Sequence, residues 1–199
     1  MQPSAQTRIL DIAEAAVLAK GFGATSIEEI AAEAGISKNG FFYHFKDKNA
    51  LALALLQRSI EHDEVVLNEI FSESLSGDVE PLNAFLNGLE RFARMMEDLP
   101  NGHPGCLVAT YCYQERLFER DVRRLNREII YQWRRRFRRI LDDILGRHVP
   151  RQAVDPDAIA DMVISAVEGG MVLSRATGDP KLLPQQIRLV RSYVTLLFA

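Results

Sequence analysis

The sequence predicts an all-α protein. Apolar residues recur at i, i+3 and i+4 through most of its length, and no stretch alternates apolar and polar residues as a half-buried strand does. Helix-starting residues (Ser26, Ser37, Asp47, Asp155) and helix-ending glycines (Gly21, Gly35) punctuate the apolar runs at sensible intervals. The expected architecture is three short N-terminal helices followed by a larger helical domain.

Taken in order, residues 8–20 read as a helix with Ile9, Ile12, Ala13, Ala16 and Val17 on one face, closed by Lys20-Gly21-Phe22-Gly23. Ser26 and Glu29 form a capping box for a second, Ala-rich helix that ends at Gly35. Ser37 then caps a third helix, which begins Lys38-Asn39-Gly40 and continues Phe41-Phe42-Tyr43-His44-Phe45. A first turn of little bulk approaches another surface closely, and its N–H groups and dipole favour anions. Phe41 and Phe45 are the expected core anchors, while Tyr43 and His44 offer polar tips to phosphates. Two helices joined by a tight Gly-containing turn form the layout of a helix-turn-helix.

Asp47 is the expected N-cap of a long helix from Lys48 towards Phe71, with Leu53, Leu56, Ile60, Leu67 and Phe71 on one stripe. Residues 72–77 break the pattern, and Asp78 with Pro81 starts a helix whose inner face is Leu82, Phe85, Leu89, Phe92 and Met96. The loop 99–105, with two prolines and two glycines, stops it. A helix from Cys106 to about Phe118 and an Arg-rich one from Asp121 to Leu145 follow. Asp155-Pro156 and Asp179-Pro180 each read as N-cap plus first-turn proline for the last two helices. The final helix is apolar on two sides, Leu183/Ile187/Val190/Val194/Leu197 and Leu189/Tyr193/Leu196, so burial from two directions is expected.

Composition narrows the function classes. The 199 residues suffice for one domain or two small ones, and the net charge of −3 does not advertise nucleic-acid binding. Local charge does: Lys38, Lys46 and Lys48 face Asp47 alone, while Glu28, Glu29 and Glu33 sit on the preceding helix, where they can face away from DNA. The longest apolar run, residues 50–56, is too short to span a bilayer, and with no apolar stretch in residues 1–8 no signal peptide is expected. Cys106 and Cys112 do not suggest a disulfide framework, and a cytoplasmic location is expected. No metal site, catalytic triad, paired carboxylates or phosphate loop is visible. His103 and Cys106 are two candidate metal ligands without a third. No cofactor and no enzymatic activity are expected.

From Ile9-Leu10-Asp11 through Lys20-Gly21-Phe22, Ala24-Thr25-Ser26, Ile30-Ala31, Ala34-Gly35-Ile36-Ser37-Lys38, Phe45 and Lys48 to Leu51, the chain resembles the TetR/AcrR family of one-component transcriptional regulators. The likeness runs without a gap over the first quarter of the chain, and the rest resembles the family in helix number and length. It implies a DNA-binding domain at residues 1–47 and an effector-binding and dimerisation domain at 48–199, the last two helices forming an intersubunit bundle in which Gly169 and Gly170 permit close approach. It also implies Thr25, Ser37, Tyr43 and Lys48 as phosphate contacts, with Lys38, Asn39, Gly40 and His44 near base edges or backbone. Two positions depart from the family pattern. Phe42 lacks the hydroxyl many members carry there, and Gly40 lacks a contact to a thymine methyl.

The stripe Phe85, Leu89, Phe92, Met96 reads by itself as core; the resemblance makes it, with Tyr111, Trp133 and Phe137, the candidate lining of a site for a mostly apolar effector. The arginines between 116 and 139 read as a solvated helix face with i, i+4 partners rather than a second nucleic-acid site. The implied partners are double-stranded operator DNA, a small-molecule effector and a second copy of the chain. The function expected is that of a ligand-responsive regulator, repressing by default. Its alternative is a small-molecule-binding or catalytic helical protein that keeps the three-helix segment as scaffold.

Overall fold

Ser4 accepts the N–H of Thr7 on its hydroxyl and opens α1 (Ala5–Lys20), which ends at Gly21 with a positive φ of 84°. The computed structural model describes residues 4–76 and 79–198, and among them ten α-helices, one 3₁₀ turn and no strand. Asp78, expected to help start a helix, lies outside these residues. The chain divides into two compact units.

The first unit runs through His62 and takes in Cys106–Ile129. It holds α1, α2 (Ile27–Glu33), α3 (Lys38–His44), the first part of α4 (Lys48–Ile70), α7 (Leu107–Tyr113), a 3₁₀ turn (Glu115–Leu117) and the start of α8 (Arg120–Leu145). Its core is Ile9, Ala13 and Val17 of α1, Ile30 and Ala31 of α2, Phe41 and Phe45, and Leu51, Ala52, Leu55 and Leu56 of α4. Leu53 and Ile60, placed on the inward stripe by the sequence pattern, are half-buried. The helix expected to continue to Phe118 stops at Tyr113, because Gln114 leaves helical geometry at φ −118°, ψ 24°. Phe118 then turns inward, and its ring stacks on Tyr111 at 4.2 Å between centroids.

The second unit contains the rest of α4 and α8, α5 (Ser72–Ser76), α6 (Pro81–Glu97), α9 (Pro156–Thr177) and α10 (Leu182–Phe198). The segment expected to be a plain break is thus partly a short helix. Glu80 caps α6, its carboxylate accepting from Leu82 N–H at 3.0 Å and Asn83 N–H at 2.8 Å. Asp155 caps α9 as expected, with Pro156 in its first turn. The last helix begins two residues later than Asp179-Pro180 suggests, and Asp179 accepts the Lys181 N–H instead. α10 packs against α6 and α9 around one core that includes Phe71, Phe85, Leu89, Phe137, Ile140, Val163, Leu183, Ile187 and Val194. Gly170 makes the α9–α10 approach possible inside one chain, since a Cβ there would lie 2.9 Å from the Leu183 Cα.

Candidate nucleic-acid interface

α2 and α3 meet through a tight turn closed by backbone hydrogen bonds. The Gly35 N–H donates to the Ala32 carbonyl at 3.1 Å and the Ile36 N–H to the Ala31 carbonyl at 3.0 Å, the paired bonds of a Schellman ending. Gly35 holds φ +68°, where a side chain would be strained although nothing crowds it. Ser37 then accepts the Gly40 N–H at 3.0 Å and starts α3.

Phe41 and Phe45 are buried as expected, 5.7 Å apart between ring centroids, and they fix the inner face of α3. The outer face is open. Ser37, Lys38, Asn39 and Lys46 are exposed, and Tyr43 is 86% exposed with its ring edge-on to the half-buried His44. A Cβ on Gly40 would meet only ordinary contacts, the nearest at 3.4 Å, so the fold itself does not demand glycine there. Asp47 caps α4 by accepting the Ala50 N–H at 2.8 Å.

A model of the bacterial regulatory proteins of the tetR family matches residues 9–55, the span that carries α1, α2, α3 and the start of α4. Similar proteins extend the likeness. A transcriptional regulator, AcuR from Cereibacter sphaeroides, is 25% identical over 159 residues, covering 78% of this chain and 69% of its own. The HTH-type transcriptional repressor DhaR from a Mycobacterium species is 22% identical over 173 residues, 87% of this chain and 83% of its own. The crystal structure of a TetR transcriptional regulator from Chloroflexus aurantiacus superposes with a TM-score of 0.78 at 25% identity, over 98% of this chain and 96% of that one. On these likenesses the chain reads as a TetR-family regulator. It is a DNA-binding transcriptional regulator, and its relatives are regulators rather than enzymes.

Within this TetR-family frame several residues sit otherwise than expected. Thr25 is 1% exposed, and its hydroxyl donates to the Gly21 carbonyl at 2.9 Å, so its side chain holds the α1–α2 turn and is not open to a phosphate. Lys48 is half-buried. Its ammonium donates to the Phe22 carbonyl at 2.6 Å and lies 4.3 Å from the centroid of the Phe22 ring, and burial lowers its pKa. Glu28 does not face away from α3: its carboxylate is bonded to the Lys38 ammonium at 2.5 Å. Residues the sequence did not single out complete this region. Gln114 accepts the Gly23 N–H at 3.1 Å, and the Glu119 N–H donates to the Asn49 side-chain oxygen at 3.0 Å.

Of the residues expected to line an effector site, Phe85, Leu89, Phe92, Met96 and Phe137 come together in the core of the second unit, with Trp133 partly buried against it. Tyr111 does not join them. It lies in the first unit beside Phe22 and Phe118, its hydroxyl donating to the Ala52 carbonyl at 3.3 Å, and burial raises its pKa well above that of a free phenol.

Three arginines of α8 reach partners on other helices as well. Arg134 makes a bidentate pair with Asp161 at 2.6 Å, and Arg138 bonds both Asp142 and, across to α9, Asp157. These carboxylates hold both guanidinium pKa values above the usual range. Arg136 bonds a neutral amide, Asn68, at 2.8 Å. Cys112 is exposed, with the Asn126 amide donating to its sulfur at 3.3 Å. His103 Nδ1 accepts the Gly105 N–H, burial lowers its pKa, and the described residues contain no cluster able to hold a metal ion.

Proposed function

We propose that this regulator acts as a homodimeric, ligand-released repressor in the cytoplasm. Residues 1–47 present α3 to operator DNA, and residues 48–199 carry effector binding and dimerisation. Ser37, Asn39, Tyr43 and His44 meet phosphates or base edges, Gly40 lets the helix lie close, and Lys38 and Lys48 reach the duplex with the donors their internal bonds leave free. The effector is a mostly apolar molecule taken up among Phe92, Met96 and Trp133, over the deeper residues Phe85, Leu89 and Phe137. An effector that prefers the form unable to bind DNA shifts the population away from the operator complex.

The observation that carries the dimeric reading is the outer face of α10. Leu189, Tyr193 and Leu196 are exposed at helical spacing on the helix whose opposite face is core, and Val172 and Leu173 of α9 are exposed as well. Such a row needs a cover, and a second copy supplies one of identical chemistry. Two recognition helices then address half-sites about one helical turn apart. The test is selection of bound duplexes from a random library, followed by light scattering of the complex. Enrichment of a twofold-symmetric site bound by two chains is expected. A single-copy complex on an asymmetric site, or no enrichment, rejects the reading.

A further inference from the structure

Glu28 and Glu29 are neighbours in the first turn of α2, where the helix dipole favours acids, yet they reach in different directions. Glu29 binds Lys20, the last residue of α1, at 2.5 Å. Glu28 binds Lys38, the first residue of α3, at 2.5 Å. Both members of the second pair are open to water, 62% and 56% exposed, so it contributes little to stability. It does change the charge of the DNA-facing surface. Of the three lysines at this end, Lys38 is neutralised by Glu28 and Lys48 is engaged with Phe22; Lys46 makes no ion pair among the described residues.

We propose that Glu28 is a specificity-determining residue of the DNA interface, holding the Lys38 ammonium away from phosphates and aimed at base edges. The inference rests on the reading of α3 as the recognition helix. A free lysine follows the phosphate backbone of any duplex, and such contacts supply sequence-independent affinity. A lysine tethered to a carboxylate of the preceding helix keeps two donors, useful only where base acceptors fall within their reach. The carboxylate also repels phosphates, so a duplex without those acceptors gains nothing that offsets its approach. Glu28 thereby lowers binding to unrelated DNA more than binding to the operator.

The test compares the full-length protein with Glu28→Gln, Glu29→Gln, Lys38→Met and the Glu28→Gln/Lys38→Met double variant. Each is measured by fluorescence anisotropy on the duplex selected by the wild type and on a scrambled duplex of equal length, across a salt series. Glu28→Gln is expected to tighten scrambled-duplex binding about three- to ten-fold and to steepen the salt dependence by about one per subunit, so that the operator-to-scrambled ratio falls. Glu29→Gln, with the same charge change, is expected to leave that ratio within about twofold. Equal effects of the two glutamines would reduce the role to net charge and overturn the proposal. So would a ratio that Glu28→Gln still lowers when Lys38 is already methionine, or one that it never lowers. If the wild type selects no duplex at all, the operator reading falls first and this inference falls with it.

Discussion

Lys48 grips Phe22 twice, through a 2.6 Å hydrogen bond to its carbonyl and a 4.3 Å approach to its ring, and so ties the start of α4 to the α1–α2 turn. The same ring contacts Phe118 at 4.6 Å and Tyr111 at 5.8 Å, which makes Phe22 the meeting point of Lys48, Tyr111 and Phe118. Lys48→Ala therefore removes an internal bond as well as the cation proposed to meet phosphate. The expected loss is about 1–3 kcal/mol of stability by urea unfolding. DNA binding should weaken to a similar degree on every sequence, with a salt slope lower by about one per subunit. Unchanged unfolding together with a loss confined to the operator would contradict both roles.

The two apolar sides of α10 have different fates, and two substitutions separate them. Val194 is wholly buried against its own chain, whereas Leu196 is 67% exposed. Val194→Glu places an unpaired carboxylate in the core and is expected to unfold the second unit. Leu196→Glu should leave the helical circular dichroism of the chain intact while light scattering reports monomers and operator binding is lost. A folded dimer of Leu196→Glu would move the subunit contact elsewhere.

These contrasts mark what the sequence makes legible. Caps, glycine endings and apolar period are local, so the all-α class, the α2–turn–α3 geometry and the burial of Phe41 and Phe45 follow from residues a few positions apart. Partners distant in sequence do not. Nothing in the spacing pairs Arg134 with Asp161, brings Gln114 to Gly23 or draws Tyr111 to Phe22. Nor does a helical wheel say which apolar face of α10 meets its own chain. Thr25 illustrates the limit for site residues: the resemblance implies a phosphate contact, but the hydroxyl is directed inward to Gly21.

Glu80 gives the second unit a pH signature. Burial raises its pKa, but the Leu82 and Asn83 N–H groups and His148 outweigh this, leaving it below the ordinary value of 4.5. A carboxyl whose folded pKa is depressed contributes stability above its unfolded pKa, and that contribution is lost as pH falls through the folded value. Glu80→Gln should cost about 1 kcal/mol near neutral pH, the usual scale of a lost N-cap. In urea titrations the gap between wild type and variant should narrow steadily below pH 4.5. A gap constant down to the acid transition would show that the carboxylate charge plays no part.

The effector proposal is tested through Trp133, the chain's single tryptophan, which lies partly buried against the core that contains Phe92 and Met96. Methionine beside aromatic surface suits flat or acyl ligands of varied shape, since its side chain is flexible and its sulfur polarizable. Arg136 adds a half-buried guanidinium that bonds the Asn68 amide and feels the Glu64 carboxylate only through space, so a ligand with an anionic head suits the region better than a cation. Compounds that release the operator should therefore be apolar or amphipathic acids, and their binding should shift Trp133 emission. Phe92 is itself close to fully buried, and Phe92→Ala would cost about 3–5 kcal/mol and confuse folding with binding. Phe92→Leu keeps most of the volume. It is expected to raise the ligand concentration for half-maximal fluorescence change several-fold while ligand-free operator binding stays within about twofold. Releasing compounds that prove to be small polar cations, or a fluorescence response indifferent to Phe92→Leu, would return this cluster to the role of plain core.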